Sequence, residues 1–249
     1  MTHRAYEPDA AFAAKMDADD PLASFRSRFF FPKTASGDEC IYLCGHSLGL
    51  QPRKAKDYIE QELQDWAKLG VEGHFRARNP WMPYHRLLTE QTAELVGANP
   101  EEVVVMNSLT VNLHLMMVSF YRPTRQRHKV VIERGAFPSD QYAVKSQIKA
   151  QGYDPSSSLI ELTARPGEFC IRDEDVNRLI DREGDSIALV MLGGVNYATG
   201  QTFDMPGITE RGHAQGCVVG FDLAHAAGNL VLKIHEWGRT SPCGAATNI

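Results

Sequence analysis

Cys217-Val218-Val219-Gly220-Phe221-Asp222-Leu223-Ala224-His225 is the stretch on which the fold turns. Residues 217–221 form a short apolar run that ends on a carboxylate, with an imidazole three positions further on. Such a run reads as a buried strand, and a carboxylate at the carboxyl end of a parallel strand lies where open α/β sheets bind ligands. Asp222 and His225 are therefore the first candidates for chemistry. Taken alone, each has a plain alternative: a turn or helix cap for Asp222, and a partly buried, hydrogen-bonded imidazole for His225.

Upstream of this stretch, strand and helix alternate. Lys129–Glu133, Leu159–Leu162 and residues 187–192 read as strands, and residues 141–150, 173–182 and 206–215 as helices. Near-continuous apolar strands separated by helical segments predict an α/β fold with a mostly parallel sheet covered on both faces. Residues 103–106 read as one more buried strand, and residues 111–121 as an apolar helix. The polar turn Asn107-Ser108-Leu109-Thr110 between them is a ready anion site, because free N–H groups and the helix dipole point outward there.

Nearer the amino terminus, Ala55, Tyr58, Ile59, Leu63, Trp66 and Ala67 have helical spacing with Gly70 as a stop. A second helix carries Leu87, Leu88, Thr92, Leu95 and Val96 and ends near Gly97. Residues 1–50 read as an arm whose first helix is split by Pro21, residues 51–238 as the large domain, and residues 239–249 as a tail without periodicity, expected to be unstructured.

The 249 residues are 43% hydrophobic and 23% charged, the balance of a soluble globular protein. A net charge of -5 offers no broad attraction for nucleic acid or an acidic membrane surface. No run approaches the roughly 20 apolar residues of a membrane span, and the polar amino terminus does not resemble a secretory signal. Five cysteines without a Cys-x-x-Cys pair point to a reduced, cytoplasmic compartment.

Polar groups follow several strands: Ser108 and Thr110, Ser139 and Asp140, Asn196 and Thr199, Asp222 and His225. In a parallel sheet these turns share one edge and can converge on one ligand. Asp222, His225 and His213 do not complete a tetrahedral metal set, and no metal is expected. Gly45-His46-Ser47-Leu48-Gly49 has the spacing of a nucleophile elbow, but no strong strand precedes it, which argues against a serine hydrolase.

Five stretches together resemble the kynureninase family: residues 45–52, 109–114, Phe137-Pro138-Ser139-Asp140, Tyr197-Ala198-Thr199-Gly200-Gln201 and residues 220–226. That family has the aspartate aminotransferase-like (fold type I) architecture and uses pyridoxal 5'-phosphate. The resemblance implies hydrolysis of L-kynurenine, or its 3-hydroxy form, to anthranilate or 3-hydroxyanthranilate and L-alanine, by a homodimer. It implies that Leu109 and Thr110 bind the phosphate and that Phe137 stacks on the pyridine ring. Pro138 and Ser139 would shape that loop, with Asp140 approaching the cofactor. Asp222 would pair with the ring nitrogen and His225 sit beside it. Gly193 stands where some members have serine, so a polar contact there would be absent or come from backbone. Ser47 and His74 would lie on the substrate side.

The family's Schiff-base lysine lies in a Ser-Tyr-Lys-Tyr-Leu-Asn motif beyond the Asp-x-x-His motif, and these 249 residues contain no such motif. Lys233 is too close to Asp222 to take that role, so no catalytic residue is assigned. The family pattern breaks after Gly238, and the large domain is expected to be incomplete at its carboxyl end. A chain so truncated is expected to be inactive alone, or to act as a non-catalytic partner of the full-length subunit.

Overall fold

The computed structural model describes residues 6–238 and 246–248, in two compact units, one ending at Tyr84 and the other starting at His85. The sequence-based boundary at residue 50 lies inside the first unit.

In the first unit, α1 (Ala10–Ala18) starts where the Asp9 side chain accepts the Phe12 N–H at 2.8 Å, a normal N-cap. It stops before Pro21, and a 3-10 turn over Ala23–Arg28 follows, as the split helix predicts. α2 (Ala55–Leu69) ends at Gly70, whose φ of 55° suits a residue without Cβ. After α3 (Gly73–Arg76), the loop through residue 83 folds back on α2. Buried Asp65 accepts the Arg78 amide at 2.8 Å and its Nε at 3.2 Å, while Glu62 accepts from Asn79 (2.8 Å) and from Trp81 Nε1 (3.0 Å).

The second unit begins with α4 (Thr89–Val96), closed by Gly97 at φ 64°. The backbone of Leu232 and Lys233 lies against the Gly97 Cα, where a Cβ would collide with it. Gly97→Ala combines that collision with a left-handed conformation that alone costs about 1–2 kcal/mol. It is expected to destabilise the chain by about 2 kcal/mol in urea unfolding.

α5 (Leu109–Phe120) follows, then β1 (Lys129–Glu133), α6 (Pro138–Ala150), α7 (Pro155–Ser158), β2 (Leu159–Leu162), α8 (Asp173–Glu183), β3 (Ile187–Gly193), α9 (Met205–Ala214), β4 (Val218–Asp222), α10 (Ile234–Gly238) and β5 (Ala246–Asn248). The order across the sheet is β2-β1-β3-β4-β5, every pair parallel. From β1 the chain steps outward to β2 and then returns to lay β3 on the other side of β1. The β1/β3 boundary is thus the topological switch point, where open α/β sheets bind ligands.

Two apolar layers cover the sheet. Val131, Val190, Leu192, Val219 and Phe221 pack with Val176, Leu179 and Ile180 of α8 and with Met205 and Ile208 of α9. Val130, Ile132, Leu189 and Met191 pack on the other face with Leu113 and Met117 of α5 and with Ala143, Val144 and Ile148 of α6. Alternation along each strand separates the two sets.

Two expectations differ from the structure. Residues 103–106 are apolar but form no ladder among the described residues, and Val104 and Met106 are exposed; an apolar run becomes a strand only where a neighbour offers paired N–H and C=O groups. Of the tail expected to be unstructured, residues 239–245 and 249 lie outside the described residues. Residues 246–248 form β5, because the free edge of β4 offers unpaired backbone groups to any extended segment that reaches it.

Candidate functional site

The site is built at the carboxyl ends of β1, β3 and β4. β4 places Phe221 in the layer beneath α8 and α9, so Asp222, one residue on, projects toward the face covered by α5 and α6. Its Oδ1 accepts the Ala224 N–H at 2.8 Å, and its carbonyl accepts the Gly194 N–H at 2.7 Å, tying the β3 and β4 ends together. Asp140 reaches the same place from the first turn of α6. Pro138 starts that helix where a missing N–H costs nothing.

The carboxyls of Asp140 and Asp222 interact directly, which favours a proton on one of them. Burial, followed by the bond to and charge of Asp222, pushes the Asp140 carboxyl up to about 8, while Ser139, whose hydroxyl donates at 3.3 Å, opposes the rise. Two carboxylates forced together cannot both ionise cheaply. Without a cation, the pair keeps its proton at neutral pH.

The raised Asp140 value makes stability depend on pH. Asp140 carries no penalty below the ordinary carboxylate range, and the penalty of ionising it grows as pH rises from there to about 8. Asp140→Asn keeps a donor for Asp222 and removes that penalty. Thermal melts of the cofactor-free chain should show no gain near pH 4 and a gain on the order of 2 kcal/mol at pH 8.

An arc of rings stands beside the acid pair. Phe137 and Tyr197 meet edge to face with centroids 5.3 Å apart, and the His225 ring lies 6.3 Å from Tyr197. Phe137 and Tyr197 are each about half exposed, at 48% and 45%, so an open aromatic surface adjoins a buried acidic one.

A third carboxylate escaped the sequence reading. Glu133 closes β1, is 4% exposed, and accepts the Gly193 N–H at 3.0 Å. Burial raises its carboxyl above the usual range, against the Gly193 amide and the Asn196 side chain, which lower it. The criterion that selected Asp222, a carboxylate ending an apolar strand, selects Glu133 equally well. Gly193 turns its backbone donor to Glu133.

Of the other expected residues, Asn196 accepts the Ala198 and Thr199 amides at 3.0 Å and the Thr199 hydroxyl at 3.1 Å, so Thr199 serves its own loop. Leu109 and Thr110 open α5 behind Ser108, whose side chain makes no capping bond. α5 packs on α6 through His114 and Gln147 (2.7 Å), and no described contact joins Leu109 or Thr110 to Asp222. Ser47 and His74 belong to the first unit. Ser47 lies in an exposed turn, and His74 Nδ1 lies 2.9 Å from the Val71 carbonyl with its ring against Trp81. Lys233 Nζ lies 3.2 Å from Glu236. No group of His, Cys, Asp and Glu side chains among the described residues is arranged to hold a metal ion.

A flat, cationic heteroaromatic ring fits this arrangement. Its faces suit Phe137 and Tyr197, and a protonated ring nitrogen supplies the charge that the Asp140–Asp222 pair lacks.

Comparison with known proteins agrees with the architecture. The cystine C–S lyase C-DES, solved with its product cysteine persulfide, superposes with a TM-score of 0.60 over 80% of this chain and 54% of its own, at 16% identity. A cysteine desulfurase from Thermococcus onnurineus gives 0.53 over 84% of this chain and 47% of its own, also at 16% identity. At that identity the likeness shows the fold alone. The sequence is 68% identical to a kynureninase of Koribacter versatilis, over 95% of this chain and 56% of that protein. It is 58% identical to one of Myxococcus xanthus (94% and 55%) and 43% identical to one of mouse (94% and 53%). The chain thus spans about half the length of the curated relatives it matches. The family model described as aminotransferase class-V matches residues 41–239, so that a parallel α/β sheet bearing an acidic switch-point crevice is what this family's pattern has become here: the chain belongs to the class-V aminotransferases.

Proposed function

We propose that this chain carries the ring-binding part of a pyridoxal 5'-phosphate site, and that the protein it represents is a kynureninase-type hydrolase. It would convert L-kynurenine or 3-hydroxy-L-kynurenine to anthranilate or 3-hydroxyanthranilate and L-alanine. The observation that carries the reading is the Asp140–Asp222 carboxyl pair, buried at Asp140 and half-buried at Asp222, beside the Phe137–Tyr197–His225 rings. The printed names of the relatives, at up to 68% identity, supply the substrate.

Bound in this crevice, the cofactor would act as an electron sink for a carbanion formed on the substrate. Asp222 would hold the proton on the ring nitrogen, which keeps that sink effective. Phe137 would cover one ring face, with Pro138 and Ser139 fixing its loop, and His225 would flank the ring. The free first-turn amides at Leu109 and Thr110 suit a phosphate. Ser47 and His74 would serve the substrate. The exposed apolar face of α2, with Ile59, Leu63 and Trp66 around a cavity of about 440 Å³, supports a homodimer. Free Cys40, Cys44, Cys170 and Cys217 support a reducing cytoplasm, and no described helix is long and apolar enough to cross a membrane.

Equilibrium dialysis against pyridoxamine phosphate tests the cofactor reading without requiring a Schiff base. Saturable binding at one site per chain is expected. With pyridoxal phosphate bound, L-kynurenine should perturb the cofactor absorption spectrum where L-aspartate does not. Absence of saturable binding would end the cofactor reading, and an equal response to both amino acids would end the substrate assignment.

A further inference from the structure

Tyr197 stands in the arc of rings on a short loop that leaves β3 and returns before α9. An antiparallel bridge between Val195 and Thr202 closes the loop at its base, and the Asn196 N–H donates to the Gln201 carbonyl at 2.8 Å. Within the loop, the Asn196 side-chain oxygen accepts the Ala198 and Thr199 amides and the Thr199 hydroxyl, and Gly200 turns the chain at φ 71°. The tip thus satisfies its own backbone through an asparagine side chain, with no ligand needed to complete it.

The loop is also fixed to its surroundings at both ends. At its start, the Gly194 N–H donates to the Asp222 carbonyl at 2.7 Å. A Cβ on Gly194 would stand 2.8 Å from Leu223 Cδ2 and 2.9 Å from Ala226 Cβ, so the loop begins pressed against the turn that carries His225. At its end, Gln201 reaches buried Ile171, two residues before α8. Its Oε1 accepts the Ile171 N–H at 2.8 Å, and its Nε2 donates to the Ile171 carbonyl. A side-chain amide that pairs with both backbone groups of one residue has a single orientation. Phe203, buried in the layer with α8 and α9, follows directly.

This framework presents the Tyr197 ring edge to face on Phe137, which precedes α6, and beside His225, which follows β4. We propose that Gln201 and Asn196 are positioning residues that hold Tyr197 between Phe137 and His225, and that Tyr197, so held, sets the place and tilt of a planar heteroaromatic ring in the site. A ring ordered before binding spares the ligand the cost of ordering it. The effect on a bound ring rests on the cofactor reading, whereas the hold on Tyr197 does not. Gln201 acts through the loop and touches no reacting atom.

Proton NMR of the cofactor-free chain tests the hold. A through-space cross-peak between the Phe137 and Tyr197 rings is expected in the parent chain. In Gln201→Ala it should weaken, and the Asn196 amide should exchange with solvent about tenfold faster, the effect of losing one hydrogen bond of the clamp. Gln201→Glu keeps the acceptor for the Ile171 N–H and loses only the donor, so it should lie between the two, and it serves alone if the alanine variant does not fold. A cross-peak at parental strength in the folded variant would overturn the holding role, whether or not a cofactor binds. For the bound ring, Tyr197→Leu should weaken pyridoxamine phosphate binding by about 2- to 10-fold and reduce the circular dichroism of the bound chromophore. Tyr197→Phe, which keeps the ring, should recover most of both losses. Parental affinity and dichroism in Tyr197→Leu would overturn the ring-placing role while leaving the cofactor reading intact. A parent chain that binds no pyridoxamine phosphate would refute the cofactor reading and the ring-placing role with it, and the cross-peak would still decide the hold.

Discussion

Asp222→Ala is expected to weaken pyridoxamine phosphate binding by about 10- to 150-fold. The figure follows from the loss of a hydrogen bond to a charged group, about 1.5–3 kcal/mol, with 1.4 kcal/mol for each factor of ten. The same change removes the partner that keeps Asp140 protonated. In the cofactor-free variant, Asp140 should therefore titrate closer to the ordinary carboxylate range, since the bond to Asp222 and its charge are two of the causes of its elevation. Calorimetric titration of both proteins with pyridoxamine phosphate measures the first effect. A variant that binds as tightly as the parent would remove Asp222 from the ring-nitrogen role.

Phe221→Ala should lower the unfolding free energy by about 3–5 kcal/mol, the usual range for deleting a buried aromatic side chain. Phe221 is 2% exposed, and it lies in the layer with Val190, Val219, Ile180 and Ile208. The cavity left behind would sit under the strand that carries Asp222, between the β3 and β5 pairings at Leu192 and Thr247. For a chain of this size the loss corresponds to a melting point lower by roughly 10 °C. Urea unfolding followed by circular dichroism checks it, and a loss below about 1 kcal/mol would mean that the layer collapses around the missing ring. The two substitutions separate the site from its foundation: Asp222→Ala should bind poorly while folding normally, whereas Phe221→Ala should fail first in stability.

Much of the fold was legible because its inner strands are buried on both faces. Lys129–Glu133 and Leu159–Leu162 have the bounds expected from their apolar runs, 187–192 gains one residue at its carboxyl end, and 217–221 is shifted by one residue. Gly70 and Gly97 end helices where the sequence places stops, each at positive φ. Residues 103–106 misled because hydrophobic content records a wish for burial but not the presence of a neighbouring strand. β5 was invisible because Ala246, Thr247 and Asn248 carry no pattern of their own, and pairing with β4 alone makes them a strand.

In the site, Asp222, Asp140, Phe137 and His225 were singled out from motif and position, and the structure places them near one another and near Tyr197. Glu133 was read only as the last residue of a strand. A signal for it existed in the rule already applied to Asp222, yet nothing in Lys129–Glu133 tells that the carboxylate turns to Gly193, sixty residues away along the chain.

The sequence by itself therefore determined the strand and helix segments and the positions of the acidic groups at strand ends, since apolar runs, glycine stops and residue chemistry are local properties. The tertiary structure alone decided that β1 and β3 lie side by side and that Glu133, Asp140 and Asp222 come together at the carboxyl ends of the strands. Whether a carboxyl keeps its proton depends on how much water and how many other charges surround it, and those are set by the space the folded chain encloses rather than by the order of its residues.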